Sequence, residues 1–150
     1  MSEGSATGGC RCGKVRFALA GAPMLTAACH CRECQHMTGG AFSLSSGYAR
    51  DALTIIEGED QLVLGGAQQS NKHWHCAFCK SWLYTEPQGI ENFVNVRTPM
   101  LDAPPQEPPF VETFRAEGFP WAETGAARTY AALPEMHEWP LLIQAFTARR

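Results

Sequence analysis

A mainly β domain is what the 150-residue sequence predicts, and two observations carry that expectation. Short runs of alternating apolar and polar residues recur through the first hundred positions, and Gly- or Pro-containing turns separate them. Seven cysteines fall into close groups, Cys10-x-Cys12, Cys29-x-Cys31-x-x-Cys34 and Cys76-x-x-Cys79, instead of being scattered as core filler.

Taken in order, Lys14-Val15-Arg16-Phe17 and Ala41-Phe42-Ser43-Leu44-Ser45 alternate as half-buried strands do. Ala52 to Glu57 and Gln61 to Leu64 are short apolar runs divided by Gly58-Glu59-Asp60, which reads as a hairpin. Trp82-Leu83-Tyr84 and the run from Ile90 to Val96 flank Pro87-Gln88-Gly89, a second hairpin. From Thr98 to Pro109 five prolines remove ladder donors, so the chain is expected to run extended over the surface. The remaining residues are rich in Phe, Trp and Tyr, which predicts an arm packed back on the β core. A short helix over 141–147, with Pro140 in its first turn, is expected near its end. One domain is expected over 1–150, with a core at about 8–97 and a Pro-rich arm at 98–150.

With 45% apolar and 18% charged residues the chain has a core to bury and is not a disordered tail. A net charge of −3, with no basic run longer than Arg149-Arg150, argues against nucleic acid as a partner. MSEGSATGG has neither the basic start nor the apolar stretch of a signal peptide, and no apolar run approaches the ~18 residues of a membrane span. These features predict a cytoplasmic chain with reduced thiols and no membrane partner. In that setting close cysteine pairs are metal ligands or redox centres more often than crosslinks.

Seven thiols divide into four plus three. Four thiolates close a tetrahedral zinc site, and three leave a position for an outside ligand. In an extended strand residues two apart lie ~6.6 Å from one another, so Cys10 and Cys12 need a tightened turn to share an ion. Gly8, Gly9 and Gly13 supply the freedom for it. Cys76-x-x-Cys79 has the spacing of a zinc knuckle. A dithiol redox centre is the alternative, but it favours a βα context and the residues after Cys79 read as strand. Joining the two pairs staples the N-terminal strand to the middle of the fold, so metal binding would contribute to folding.

In the denser cluster Cys31 and Cys34 can share one face of a helical turn, with Cys29 reaching in from the preceding segment. A helix start at Cys31 would favour thiolates there. His30, His36, His73 and His75 are the side chains that could close this site as a Cys₃His structural centre. Left open, a Cys₃ zinc carries a formal charge of −1, generates hydroxide poorly and suits a soft thiol ligand, which it would deprotonate. The residues therefore favour thiol chemistry over hydrolysis.

GGCRCGKVRF, CHCRECQHMTGGAF and CAFCKSWLY, in that order, resemble the glutathione-dependent formaldehyde-activating enzyme family, also called GFA or CENP-V/GFA domain proteins. The resemblance runs from Gly8 to about Tyr84 and includes all seven cysteines. It implies an Mss4-like fold of twisted antiparallel sheets. It also implies one structural Zn²⁺ on Cys10, Cys12, Cys76 and Cys79, and one catalytic Zn²⁺ on Cys29, Cys31 and Cys34. The implied activity is that of a carbon–sulfur lyase, adding the small-molecule thiol glutathione to formaldehyde to give S-hydroxymethylglutathione. A non-catalytic zinc scaffold that binds a thiol or a protein partner is the competing reading. The family usually has Gly directly after the last cysteine, where this chain has Lys80, so a left-handed turn there would be strained by ~1 kcal/mol. An aromatic residue usually precedes the Cys-x-x-Cys, and here it is His75. Arg32, Arg50, Lys72 and Arg97 are candidates by type for the glutathione carboxylates, and Glu33 and His30 for proton transfer, although a solvent-facing place is expected for those two. Oligomeric state is left open by the sequence.

Overall fold

The computed structural model describes residues 4–65 and 70–149; Met1–Glu3 and Arg150, which entered the sequence reading, lie outside the described residues. In chain order the strands are β1 (Ser5–Gly9), β2 (Arg16–Ala20), β3 (Leu25–Cys29), β4 (Ser43–Tyr48), β5 (Leu53–Glu57), β6 (Leu62–Gly65), β7 (Lys72–Cys76), β8 (Trp82–Glu86), β9 (Val94–Arg97), β10 (Val111–Thr113) and β11 (Arg128–Thr129). Among the described residues there are two α-helices, α1 (Arg32–Thr38) between β3 and β4 and α2 (Glu138–Ala148) after the last strand. The architecture is mainly β, as the alternating runs predict, and no helix of the described residues is long and apolar enough to cross a membrane.

The chain forms two compact units, each built from two separate stretches of sequence. The first comprises the residues up to Pro23 together with Gly47–Pro105. It contains the antiparallel sheet β1-β2-β5 and the antiparallel succession β9-β8-β7-β6. The alternation around β2 places Val15, Phe17 and Leu19 inward, all essentially inaccessible to solvent. They join Leu83, Val94 and Val96 in one core. Each such side chain contributes about 1.5–3 kcal/mol by leaving water.

The second expected hairpin is present, with β8 antiparallel to β9, although the strand begins at Val94 and not at Ile90. The first is not. β5 pairs with β2 and β6 pairs with β7, because the residues between them do not make a tight reversal. Gly58, at φ 78°, opens a short 3₁₀ turn over Glu59–Gln61 that carries the chain from one sheet to the next. A Cβ at Gly58 would lie 2.0 Å from the Lys14 carbonyl oxygen. Gly58→Ala should therefore cost about 3 kcal/mol or more, read as a lowered denaturant midpoint, since both the steric overlap and the left-handed backbone oppose it. The Pro-rich stretch also departs from expectation at its start. Thr98–Met100 is a 3₁₀ turn with Pro99 near its N-terminus, and Thr98 and Leu101 are buried. Proline's fixed φ suits such a turn as well as it suits an extended chain.

The second unit comprises Met24–Ser46 and the chain from Gln106 onward. Here β10 runs parallel to both β3 and β11, and the start of β4 follows β3 in the strand order. The aromatic C-terminal segment packs as expected, through α2. Leu142 and Phe146 lie on Leu25, Phe110 and Val111, with Phe110 and Phe146 edge to face at 5.7 Å. Pro140 occupies the third helical position, where its missing N–H would have no intrahelical acceptor anyway.

Candidate metal centres

In the first unit the turn between β1 and β2 folds Cys10 and Cys12 toward the loop after β7. The Gly13 N–H donates to the Cys10 carbonyl, and Gly13 takes φ 83°, so the CxC pair is tightened as two sulfurs on one ion require. The Sγ atoms of Cys10, Cys12, Cys76 and Cys79 all lie within 4.8 Å of one another, with 3.5 Å between Cys10 and Cys12 and 3.8 Å between Cys12 and Cys76. Four sulfurs on a tetrahedral Zn²⁺ at ~2.3 Å stand ~3.8 Å apart, so this set fits that ion. Backbone N–H groups point at the sulfurs, Val15 to Cys10 at 3.3 Å and Lys14 to Cys12 at 3.5 Å. Despite the desolvation of burial, which opposes it, the Ser81 hydroxyl and N–H draw the Cys79 thiol down to about 5. Anionic sulfur is thus favoured at Cys79, whereas at Cys12 the opposing pull of the Lys14 N–H is outweighed by bonds shared with Cys10, Cys79 and Cys76, which push that thiol up to about 11.

Lys80, directly after Cys79, adopts φ 65°. Its N–H donates to the Cys76 carbonyl at 2.9 Å, and its Nζ donates to the Ala77 carbonyl at 2.6 Å. The strained turn anticipated from the sequence is present. Lys80→Gly should therefore raise stability by about 1 kcal/mol and the unfolding midpoint by about 2–4 °C in a thermal scan. Against the family pattern, His75 lies parallel to the Trp82 ring at 6.3 Å and is within hydrogen-bond distance of the Lys80 carbonyl at 3.2 Å.

In the second unit β3 delivers Cys29, and α1 begins two residues beyond His30. Cys31 caps the helix in extended backbone, and its sulfur accepts the Cys34 N–H at 3.3 Å. Cys34 then lies one turn into the helix, so Cys29, Cys31 and Cys34 converge with their Sγ atoms within 4.8 Å of one another. The anticipated helical-turn arrangement is what the structure has. All three cysteines are partly buried. Hydrogen bonds from Cys31 first, and Cys34 second, pull the Cys29 thiol down to about 3, and sharing bonds with Cys29 pushes Cys31 and Cys34 up. One thiolate held by two thiols is a set of soft donors whose protons a divalent cation can displace. Among the described residues no fourth Cys, His, Asp or Glu joins the three.

The histidines that could have closed the site are engaged elsewhere. His36 faces Arg32 at 3.4 Å on α1, and in the first unit His73 pairs with the Thr85 hydroxyl at 2.8 Å. His30 is not solvent-facing, as its sequence context had suggested, but fully inaccessible. Its Nε2–H donates to Glu112 Oε1 at 2.7 Å, while Thr129 donates to Glu112 Oε2 at 2.9 Å. Burial opposes ionisation of Glu112, yet the Thr129 and His30 bonds outweigh it and hold the carboxyl below its ordinary range, so it accepts from both. Of the candidate cations, Arg32 lies on α1 between two of the cysteines and contacts Gln35 and His36. In the first unit Arg50 pairs with Glu86 at 2.9 Å, Arg97 lies 4.0 Å over the Trp82 ring, and Lys72 is exposed.

Residues that sequence reasoning did not single out hold α1 in place. Gln35 Nε2 donates to the carbonyls of His30 and Glu117, and the Glu117 carboxylate accepts the Arg32 N–H at 2.9 Å. No local signal in the sequence marks Glu112 or Glu117, because their partners lie more than eighty positions earlier.

A mainly β fold carrying one four-thiol and one three-thiol group, each of which could hold a metal ion, defines a protein of the paired cysteine-cluster class. The family model of glutathione-dependent formaldehyde-activating enzymes matches residues 5–117, and the chain belongs to that family. Its fold is similar to that of a Rhodobacter sphaeroides protein solved as a structural-genomics target. The TM-score is 0.55 at 19% identity, with 67% of this chain and 91% of that one covered. No curated protein matches the chain. The sheets and the small C-terminal helix accord with the Mss4-like fold implied by the sequence motifs.

Proposed function

We propose that the protein is a cytoplasmic, zinc-dependent carbon–sulfur lyase that joins a thiol to a small aldehyde, with glutathione and formaldehyde as substrates and S-hydroxymethylglutathione as product. The observation that carries the reading is the three-sulfur group with no fourth protein ligand among the described residues. In it Cys29, Cys31 and Cys34 would hold the working Zn²⁺, while Cys10, Cys12, Cys76 and Cys79 would hold a structural one. When bound, the working ion supplies a soft site that acidifies and orients an incoming thiol.

The chain's own contribution is placement. Gln35 and Glu117 fasten the first turn of α1, so the three sulfurs keep their spacing while an external thiol enters and leaves. Arg32 would attract a glutathione carboxylate by charge-assisted hydrogen bonding. The new bond joins the glutathione sulfur to the formaldehyde carbon, and the proton lost by the thiol ends on the carbonyl oxygen, now a hydroxyl. The reverse reaction cleaves the same C–S bond.

Zinc-loaded protein mixed with glutathione and formaldehyde should form the adduct faster than the uncatalysed mixture, followed by the hydroxymethyl signal in NMR. If two ions per chain are confirmed and no acceleration is seen, catalysis is refuted and the thiol-binding scaffold becomes the better account.

A further inference from the structure

We propose that His30 and Glu112 are a positioning pair that presets the three sulfurs for their metal, an inference that rests on the reading of Cys29, Cys31 and Cys34 as a metal site. His30 stands between Cys29 and Cys31 where the backbone is still extended, so side chains on either side of it point the opposite way. Holding the imidazole inward therefore turns Cys29 and Cys31 outward together.

Four contacts hold it. The His30 N–H donates to the Thr113 carbonyl at 3.0 Å, extending the β3–β10 ladder, and its carbonyl accepts Gln35 Nε2 at 2.8 Å. The ring donates to Glu112 and lies 5.2 Å from the ring of Phe42. Glu112 is itself fixed by Thr129, with Arg115 Nε 3.7 Å away. The other ring nitrogen, Nδ1, has no hydrogen-bond partner and faces the bare Cα of Gly118, where a Cβ would come within 2.7 Å. A fully buried imidazole spending its one donor on a carboxylate from another strand is a costly way to fill space. A phenyl ring would fill it without a buried polar pair. What the pair adds is direction, in the way that outer-shell hydrogen bonds aim metal ligands.

The test titrates Zn²⁺ into full-length reduced apoprotein against a chromophoric chelator, and Co²⁺ for its thiolate charge-transfer band. Wild type should take up two ions. Glu112→Ala and His30→Phe should weaken one of them by about 10–100-fold, the range for lost outer-shell partners, and leave the other unchanged. Glu112→Gln, which keeps an acceptor oxygen, should restore most of the affinity. Gly118→Ala, which keeps both members but crowds the ring, should weaken the same ion, and it decides the matter should His30→Phe fail to fold. A merely structural role would lower the unfolding midpoint and leave both affinities intact in the folded protein. That result, or weakening of both ions alike, overturns the proposal. Wild type binding only one ion would instead refute the metal reading on which it rests.

Discussion

Cys34→Ser should reduce zinc from two ions per chain to one and bring adduct formation down to the uncatalysed rate. The bonds that Cys34 makes within α1 come from its backbone, through its N–H to Cys31 and its carbonyl to Thr38, so the helix survives the change. The metal site does not, because a neutral hydroxyl replaces a soft anion where the described residues supply three donors. Structural zinc held by four ligands is worth ~10–16 kcal/mol, or roughly 3 kcal/mol per thiolate, so affinity should fall on the order of 10²–10³-fold. Elemental analysis and the adduct assay read the two effects separately. A folded Cys34→Ser protein with undiminished turnover would remove the three-sulfur group from the chemistry.

The second large effect concerns stability. Stripping metal from reduced protein, or replacing Cys76 with serine, should lower the unfolding midpoint by roughly 10–20 °C, equivalent to about 5 kcal/mol in a chain of this size. Cys76 is inaccessible to solvent and packs in the same core as Leu83 and Val94, and its sulfur lies 3.8 Å from Cys12, 64 positions earlier. Without a cation the four sulfurs are left in mutual contact around an uncompensated centre. Thermal scans with and without a chelator measure the difference, and an unchanged midpoint would show that the group does not hold the fold together.

The sequence made the cysteine groups legible because ligand spacing is local: a turn residue at Gly13 and a one-turn separation in α1 can be read within a few positions. Strands rich in β-branched and aromatic residues were legible for the same reason, as at β8. β1 and β3, composed largely of Ser, Ala, Thr, Gly and Cys, and the polar β7 carry little intrinsic preference and exist because a neighbouring strand pairs with them. The false hairpin had the right strands and the wrong partners, since a short turn signal does not say whether the chain reverses or changes sheets. Least visible was the support behind the three sulfurs. Val111–Thr113 is only three residues long, and the pairing of His30 with Glu112 spans 82 positions.

That long-range wiring matters during synthesis. The ribosome releases Cys29, Cys31 and Cys34 well before it has made Glu112, Thr113 or Glu117, and a loop that long must close against its own entropy before the sulfurs are braced. Through that interval the nascent thiols stand bare to oxidants and stray copper, so the yield of competent protein from a cell should depend on its reducing power as much as on its zinc supply.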